Sequence, residues 1–144
     1  MTTVVLDASV IIKWVFADRA DESHSFQALQ ILRAINESHI RVLQPPHWLA
    51  EAAAVITRLD SRRARQAVSL LYALELPILV DVEVYQKACG LSASLGQHVF
   101  DTLYHAVALN ESGAMLVTAD ERYCRSAHRV GQIIKLKDFD VVAS

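Results

Sequence analysis

The chain has 144 residues, 53% of them hydrophobic, and a formal net charge of −2 at pH 7. That length accommodates one domain over 1–144, excludes two ordinary ones, and buries enough surface to need no disulfide or structural-metal staple. The charge excludes a generic basic protein that coats nucleic acid, and no apolar run approaches the roughly 18 residues of a membrane span.

The first strand candidate is Val4–Leu6, which runs directly into Asp7-Ala8-Ser9. No basic leader precedes it. Cys89 and Cys124 form no C-x-x-C and no zinc-type Cys/His spacing, so a reduced, cytoplasmic protein is expected. Residues 10–16 read as a helix interrupted by Lys13, and 17–21 as a polar break. Over 22–35, Phe26, Leu29, Leu32 and Ile35 recur at helical spacing. Residues 40–43 read as a second strand, stopped by Pro45-Pro46, and a helix from 46 to 59 follows, because Pro suits a helix start. A further helix spans 62–74, and 76–82 reads as a third strand. A helix over 83–95 ends at Gly96, a suitable C-cap. Residues 101–111 form a strongly helical run closed by Ser112-Gly113, 114–118 a fourth strand, 120–128 a short helix and 132–136 a fifth strand. The tail 137–144 carries no clear signal. Apolar strands alternating with helices predict an α/β domain with a parallel sheet covered on both faces. In such sheets chemistry gathers beyond the carboxyl ends of the strands.

Four acids stand at such places: Asp7, Glu51, Asp101 and Asp120. Two like charges about 4 Å apart repel by roughly 1 kcal/mol in water and roughly 4 kcal/mol near a protein surface. If the fold gathers these acids, a hard divalent cation relieves the repulsion and activates water. Each Asp also has a simpler reading as a helix N-cap, and Thr118 with Glu121 fits a capping box. Glu51 resists that reading, since it lies inside its predicted helix with no Lys or Arg three or four positions away. It needs a partner from elsewhere or open solvent; Arg58 is one candidate and a metal another. Ser9 and Thr118 supply hydroxyls beside Asp7 and Asp120, for a carboxylate, for a metal-bound water, or for local turns.

The segments LDASVIIKWV, PPHWLAEAAAVI and FDTLYHAVALNESGAMLVTADERYCR together resemble the PIN domain, and within it the VapC-type toxins of toxin–antitoxin pairs. The likeness covers the chain in order, with Phe100 where many relatives have Tyr. It implies a three-layer α/β/α sandwich around a short parallel sheet. It implies that Asp7, Glu51, Asp101 and Asp120 are the acidic quartet and Ser9 and Thr118 its accessory hydroxyls. The implied activity is hydrolysis of RNA phosphodiesters with Mg²⁺ or Mn²⁺, the cations that oxygen ligands favour. Asp7 and Asp101 are expected to bind the ion directly. Implied partners are RNA, a VapB-like antitoxin and a second copy of the chain.

RNA requires cations near the pocket. Lys13, Arg122 and Arg125 are the candidates, with Arg129 on the same face; Arg58, Arg62, Arg63 and Arg65 cluster at a helix junction that also suits a solvated face. His105 is expected to be structural or to touch RNA, and Trp14 and Trp48 to be core or interface residues. The charge balance does not oppose RNA, because −2 becomes +2 once the four site acids are set aside. A non-catalytic RNA-binding module is the alternative. A haloacid-dehalogenase-type phosphatase is disfavoured, since Ser9 stands where that chemistry needs a second Asp.

Overall fold

Val4, Val5 and Leu6 are fully buried, and β-branched residues with no exposed face suit a strand at the centre of a covered sheet. This strand is β1 (Thr3–Leu6) in the computed structural model, which describes residues 1–141. After it come α1 (Ala8–Val15), α2 (Ser25–Asn36), β2 (Arg41–Val42), α3 (Trp48–Leu59), α4 (Ser61–Tyr72) and α5 (Val82–Leu95). Then follow α6 (Val99–Leu109), β3 (Met115–Thr118), α7 (Glu121–Ala127) and β4 (Ile133–Lys135), with short 3-10 turns on either side of β4. Of the unassigned tail, 142–144 lie outside the described residues.

The four described strands are all parallel, in the order β2-β1-β3-β4, and seven helices flank them. The expected α/β class and single parallel sheet are therefore present. Strand order reverses direction between β1 and β3, and crevices of this kind open at the carboxyl ends of strands. Leu6 is in register with Val117, so Asp7, the first residue past β1, comes beside Thr118, the last residue of β3. Helix α6 packs on β1 and β3 and against α5, while α1 packs against α2 and α3. Among the described residues no helix is long and apolar enough to cross a membrane, and both cysteines are free.

The third predicted strand, 76–82, is not a strand. It makes one isolated bridge, Gln44 to Ile78. Pro77 lacks a donor for a ladder, Val80 and Val82 are 68% and 67% exposed, and Asp81 caps α5 through the Glu83 N–H at 2.9 Å. The helix predicted from 46 begins at Trp48, behind the proline pair, so Glu51 lies in its first turn and not mid-helix. The helix predicted from 101 begins at Val99, with the His98 ring nitrogen accepting from the Phe100 N–H at 3.1 Å. Asp101 is thereby relieved of the capping role, whereas Asp7 and Asp120 do cap α1 and α7. Thr118 is not the cap of α7, so the capping box is not formed.

Gln44 is a residue whose role only the structure reveals. Strand β2 ends at Val42, and the fully buried Gln44 side chain takes over where the backbone ladder stops. Its Oε1 accepts from the Leu6 N–H at 2.8 Å and its Nε2 donates to the Leu6 carbonyl at 2.7 Å. Its own backbone pairs with Pro77 and Leu79. Gln44→Leu leaves two buried peptide groups of Leu6 unpaired, at about 1–3 kcal/mol each. Thermal denaturation is expected to show a melting temperature lower by roughly 5 °C or more. An unchanged melting curve would refute this role.

Candidate active site

Asp7 leaves β1 into the turn that opens α1, where its Oδ1 accepts from the Ser9 N–H at 3.1 Å and from the Ser9 hydroxyl. Its Oδ2 accepts from the Thr118 hydroxyl of β3 at 2.5 Å. Ser9 Oγ in turn accepts from the Ala119 N–H at 2.9 Å, and Thr118 Oγ1 accepts from the Asp120 N–H at 3.0 Å. The hydroxyls therefore join the two central strand ends into one network, across more than a hundred residues of sequence. Asp120 Oδ1 accepts from the Tyr123 N–H at 3.0 Å, which fixes its orientation as α7 begins.

Glu51 and Asp101 arrive from the first turns of α3 and α6. The fully buried Tyr104, one helical turn beyond Asp101, donates its hydroxyl to Glu51 Oε1 at 2.9 Å. His47, the residue that opens α3, bonds through Nε2 to the Phe100 carbonyl at 2.8 Å and packs its ring 4.7 Å from that of Tyr104. These contacts tie the two helix starts together. One open cavity of about 490 Å³ is lined by Asp7, Ser9, Glu51, Asp101 and Asp120, with Arg58 as the cation on its wall. The structure thus brings the four acids together.

Electrostatics follow from that crowding. Burial pushes the Asp7 carboxyl up from its ordinary 3.8 to about 7; the Ser9 and Thr118 hydroxyls oppose the shift, while Asp120 and Glu51 add to it. Burial also raises Glu51, with Asp101 adding and Tyr104 opposing. Asp101 is raised by burial and then by Asp120. Burial and the neighbouring carboxylates hold the Tyr104 phenol protonated, so it remains a donor. A set of oxygen donors with raised carboxyls and no lysine among them fits a hard divalent cation by its chemistry. Among the described residues, no three His, Cys, Asp or Glu side chains are gathered closely enough to hold one ion.

Other predicted residues stand elsewhere. Lys13 is buried and bound to Glu22 at 2.6 Å and to the Ser23 carbonyl at 2.7 Å, so its charge is compensated within the fold. Arg122 and Arg125 are exposed on α7, outside the acid cavity. Arg63 grips Asp18 with two bonds, at 2.8 and 2.6 Å. His105 is buried between the Tyr123 hydroxyl (3.0 Å) and the Gly131 carbonyl (2.7 Å), a structural role. Trp48 is core, and Trp14 donates to the Ala28 carbonyl at 2.8 Å. Arg58 is not the partner of Glu51; Tyr104 is. The spacing of Tyr104 from Asp101 places it only on the same helix face, and no sequence pattern pairs it with Glu51.

The family model described as PIN domain matches residues 4–129, a span that includes all four acids. The crystal structure of PAE2754 from Pyrobaculum aerophilum is similar, with a TM-score of 0.65 over 99% of this chain and 94% of that one. Sequence identity is 17%, so this likeness concerns the fold. No curated protein matches the chain.

A carboxyl raised on folding binds more protons folded than unfolded, so its ionisation removes stability as pH rises from its ordinary value through its folded one. For Asp7 that window runs from 3.8 to about 7. In EDTA, the melting temperature of Asp7→Asn relative to wild type is expected to climb between about pH 4 and about pH 8. A difference that stays flat or shrinks over that range counts against an uncompensated Asp7.

Proposed function

The chain belongs to the PIN domain family, whose function is of nuclease type, and on that premise we propose that it is a divalent-metal-dependent endoribonuclease acting as a VapC-type toxin. The observation that carries this reading is the convergence of Asp7, Glu51, Asp101 and Asp120 on one solvent-open cavity. Asp7, Glu51 and Asp101 are partly buried beside one another and beside the exposed Asp120, a crowding that a bound cation would relieve.

Asp7 and Asp101 would hold Mg²⁺ or Mn²⁺ directly, and Asp120 and Glu51 through water. Bound there, the ion supplies Lewis acidity toward the phosphate and lowers the pKa of the attacking water. Ser9 and Thr118 fix both oxygens of Asp7, so its position is set before substrate arrives. Tyr104 holds one oxygen of Glu51. Glu51, its carboxyl raised by burial, would accept the proton of the attacking water. Products with a 3′-hydroxyl and a 5′-phosphate are the expectation for this chemistry.

The toxin role implies a cytoplasmic site of action and an antitoxin as partner. Helix α2 exposes Phe26 and Leu29, and an apolar cavity of about 400 Å³ lies between α1, α2 and α4, lined by Trp14, Leu32, Leu70 and Leu74. Either offers an amphipathic antitoxin helix a seat. Ile78, Val80, Val82 and Tyr85 form an exposed apolar group suited to a second copy. A sedimentation mass of one chain would remove the homodimer from this reading. A small upstream gene whose product fails to block cleavage would remove the antitoxin.

The central test is cleavage of total RNA with and without Mg²⁺ or Mn²⁺. Asp7→Asn and Asp101→Asn are each expected to lower the rate by more than about 100-fold, the upper range for mere outer-shell partners, while remaining folded. Full activity in either variant, with EDTA also harmless, defeats the nuclease. Absence of cleavage by the wild type with either ion leaves a non-catalytic RNA-binding module.

A further inference from the structure

A second cavity, of about 350 Å³, abuts the acid site and has the opposite character. Thr118 and Ala119 form part of its wall, and the same two residues bond Asp7 and Ser9 on the other side. Lys135 and Lys137 also line it. Register explains the placement. Thr118 pairs with Lys135 of β4, and residues in register on parallel strands point to the same face. Asp7, Thr118 and Lys135 therefore form a row along the carboxyl edge of β1, β3 and β4, at about 4.8 Å per strand.

The charges around this cavity are unequal. Lys13 lines it but is matched by Glu22 at 2.6 Å. Lys137 lies 3.6 Å from Glu121, and both are solvent-exposed, so the pair is weak. Lys135 is half-buried and lines the cavity one strand beyond Thr118. His24 completes the rim. Two ammonium groups on one cavity wall offer charge-assisted hydrogen bonds to an anionic ligand.

The geometry points to a phosphate-binding subsite at Lys135 and Lys137 that holds an RNA phosphodiester flanking the one placed over the acid cavity. This inference rests on the nuclease reading above and extends it to the path of the strand. The four acids of the cavity repel a polyanion, and Arg58 is the cation among its lining residues. A flanking phosphate therefore needs a cation close by, and Lys135 stands one strand beyond Thr118. Arg58, exposed and lining the acid cavity, gives the strand a second cation. Arg122 and Arg125 line neither cavity.

Binding without turnover isolates the subsite. Asp101→Asn protein in Mg²⁺ is titrated with a fluorescent single-stranded RNA carrying hydroxyls at both ends, so that only internal phosphates contribute. The same titration is run with Lys135→Gln and Lys137→Gln added, and with Lys135→Arg and Lys137→Arg instead. Two lost contacts on a single strand are expected to flatten the slope of log affinity against log salt by about 1.4. The arginine pair is expected to retain the parental slope. An unchanged slope in the glutamine variant overturns the subsite and leaves the nuclease reading standing. Equal flattening in the arginine variant also overturns it, because the effect is then not one of charge. If no variant binds RNA, while wild type neither binds nor cuts it, the subsite and the nuclease reading fall together.

Discussion

The carboxylate of Asp7 receives two hydroxyls, from Ser9 on its own turn and from Thr118 on the neighbouring strand. Much of the rest of the site is arranged around that meeting. Parallel strands cannot be joined by a tight hairpin, so β1 and β3 come together only after the whole helical crossover has been built. The ladder brings Leu6 beside Val117 and then runs out, leaving Asp7 and Thr118 as the first pair beyond it. A carboxylate at that point loses water on folding, and among the described residues its hydrogen-bond partners are hydroxyls and one peptide N–H, not a cation. Hydroxyls satisfy its oxygens without neutralising it, so its charge remains available to a ligand. The Gln44 side chain steadies the same place from the other edge by pairing both peptide groups of Leu6.

Glu51 and Asp101 are brought to this point by a second set of contacts, between the starts of α3 and α6. His47 reaches across to the Phe100 carbonyl, and Tyr104 reaches back to Glu51. The exchange fixes the two helix starts relative to each other, and both carry their acid in the first turn, where the helix dipole favours negative charge. That is a modest compensation for gathering four carboxylates in one cavity. The fold therefore holds local instability where the chemistry is proposed, a common trade between stability and activity. The closely packed strands beneath supply the stability elsewhere.

Charge elsewhere is arranged with equal economy. Lys13 and Arg63, prominent in the sequence, are bound to Glu22 and Asp18 and serve the scaffold. Lys135 and Lys137 attract no notice in a linear reading, because one closes a short strand and the other lies in a tail without pattern. The sheet register sets Lys135 beside Thr118, which bonds Asp7, and Lys137 lines the same cavity as Lys135 and Thr118. A near-neutral total charge is thus compatible with sharply separated acidic and basic cavities.

Periodicity and punctuation made most elements legible. The apolar run ending at Asp7, the helical spacing of Phe26, Leu29 and Leu32, and the Gly96 stop all report local preferences that tertiary packing then reinforced. The 76–82 segment has the composition of a strand, but pairing needs a neighbour, and β2 is too short to offer one. Pattern alone left each Asp explained as well by a helix cap, and it was the likeness to the PIN domain that singled out Asp7, Glu51, Asp101 and Asp120 together. Their convergence was not readable, nor were Tyr104 as the partner of Glu51, Gln44 as the prosthesis of the ladder, or Lys135 as the neighbour of Thr118. Sequence alone determined which groups are present and which local elements carry them, since those follow from propensity and pattern over a few residues. Only the tertiary structure decided which groups meet, because strand order and register are set by burying one shared core, a condition on the whole chain at once.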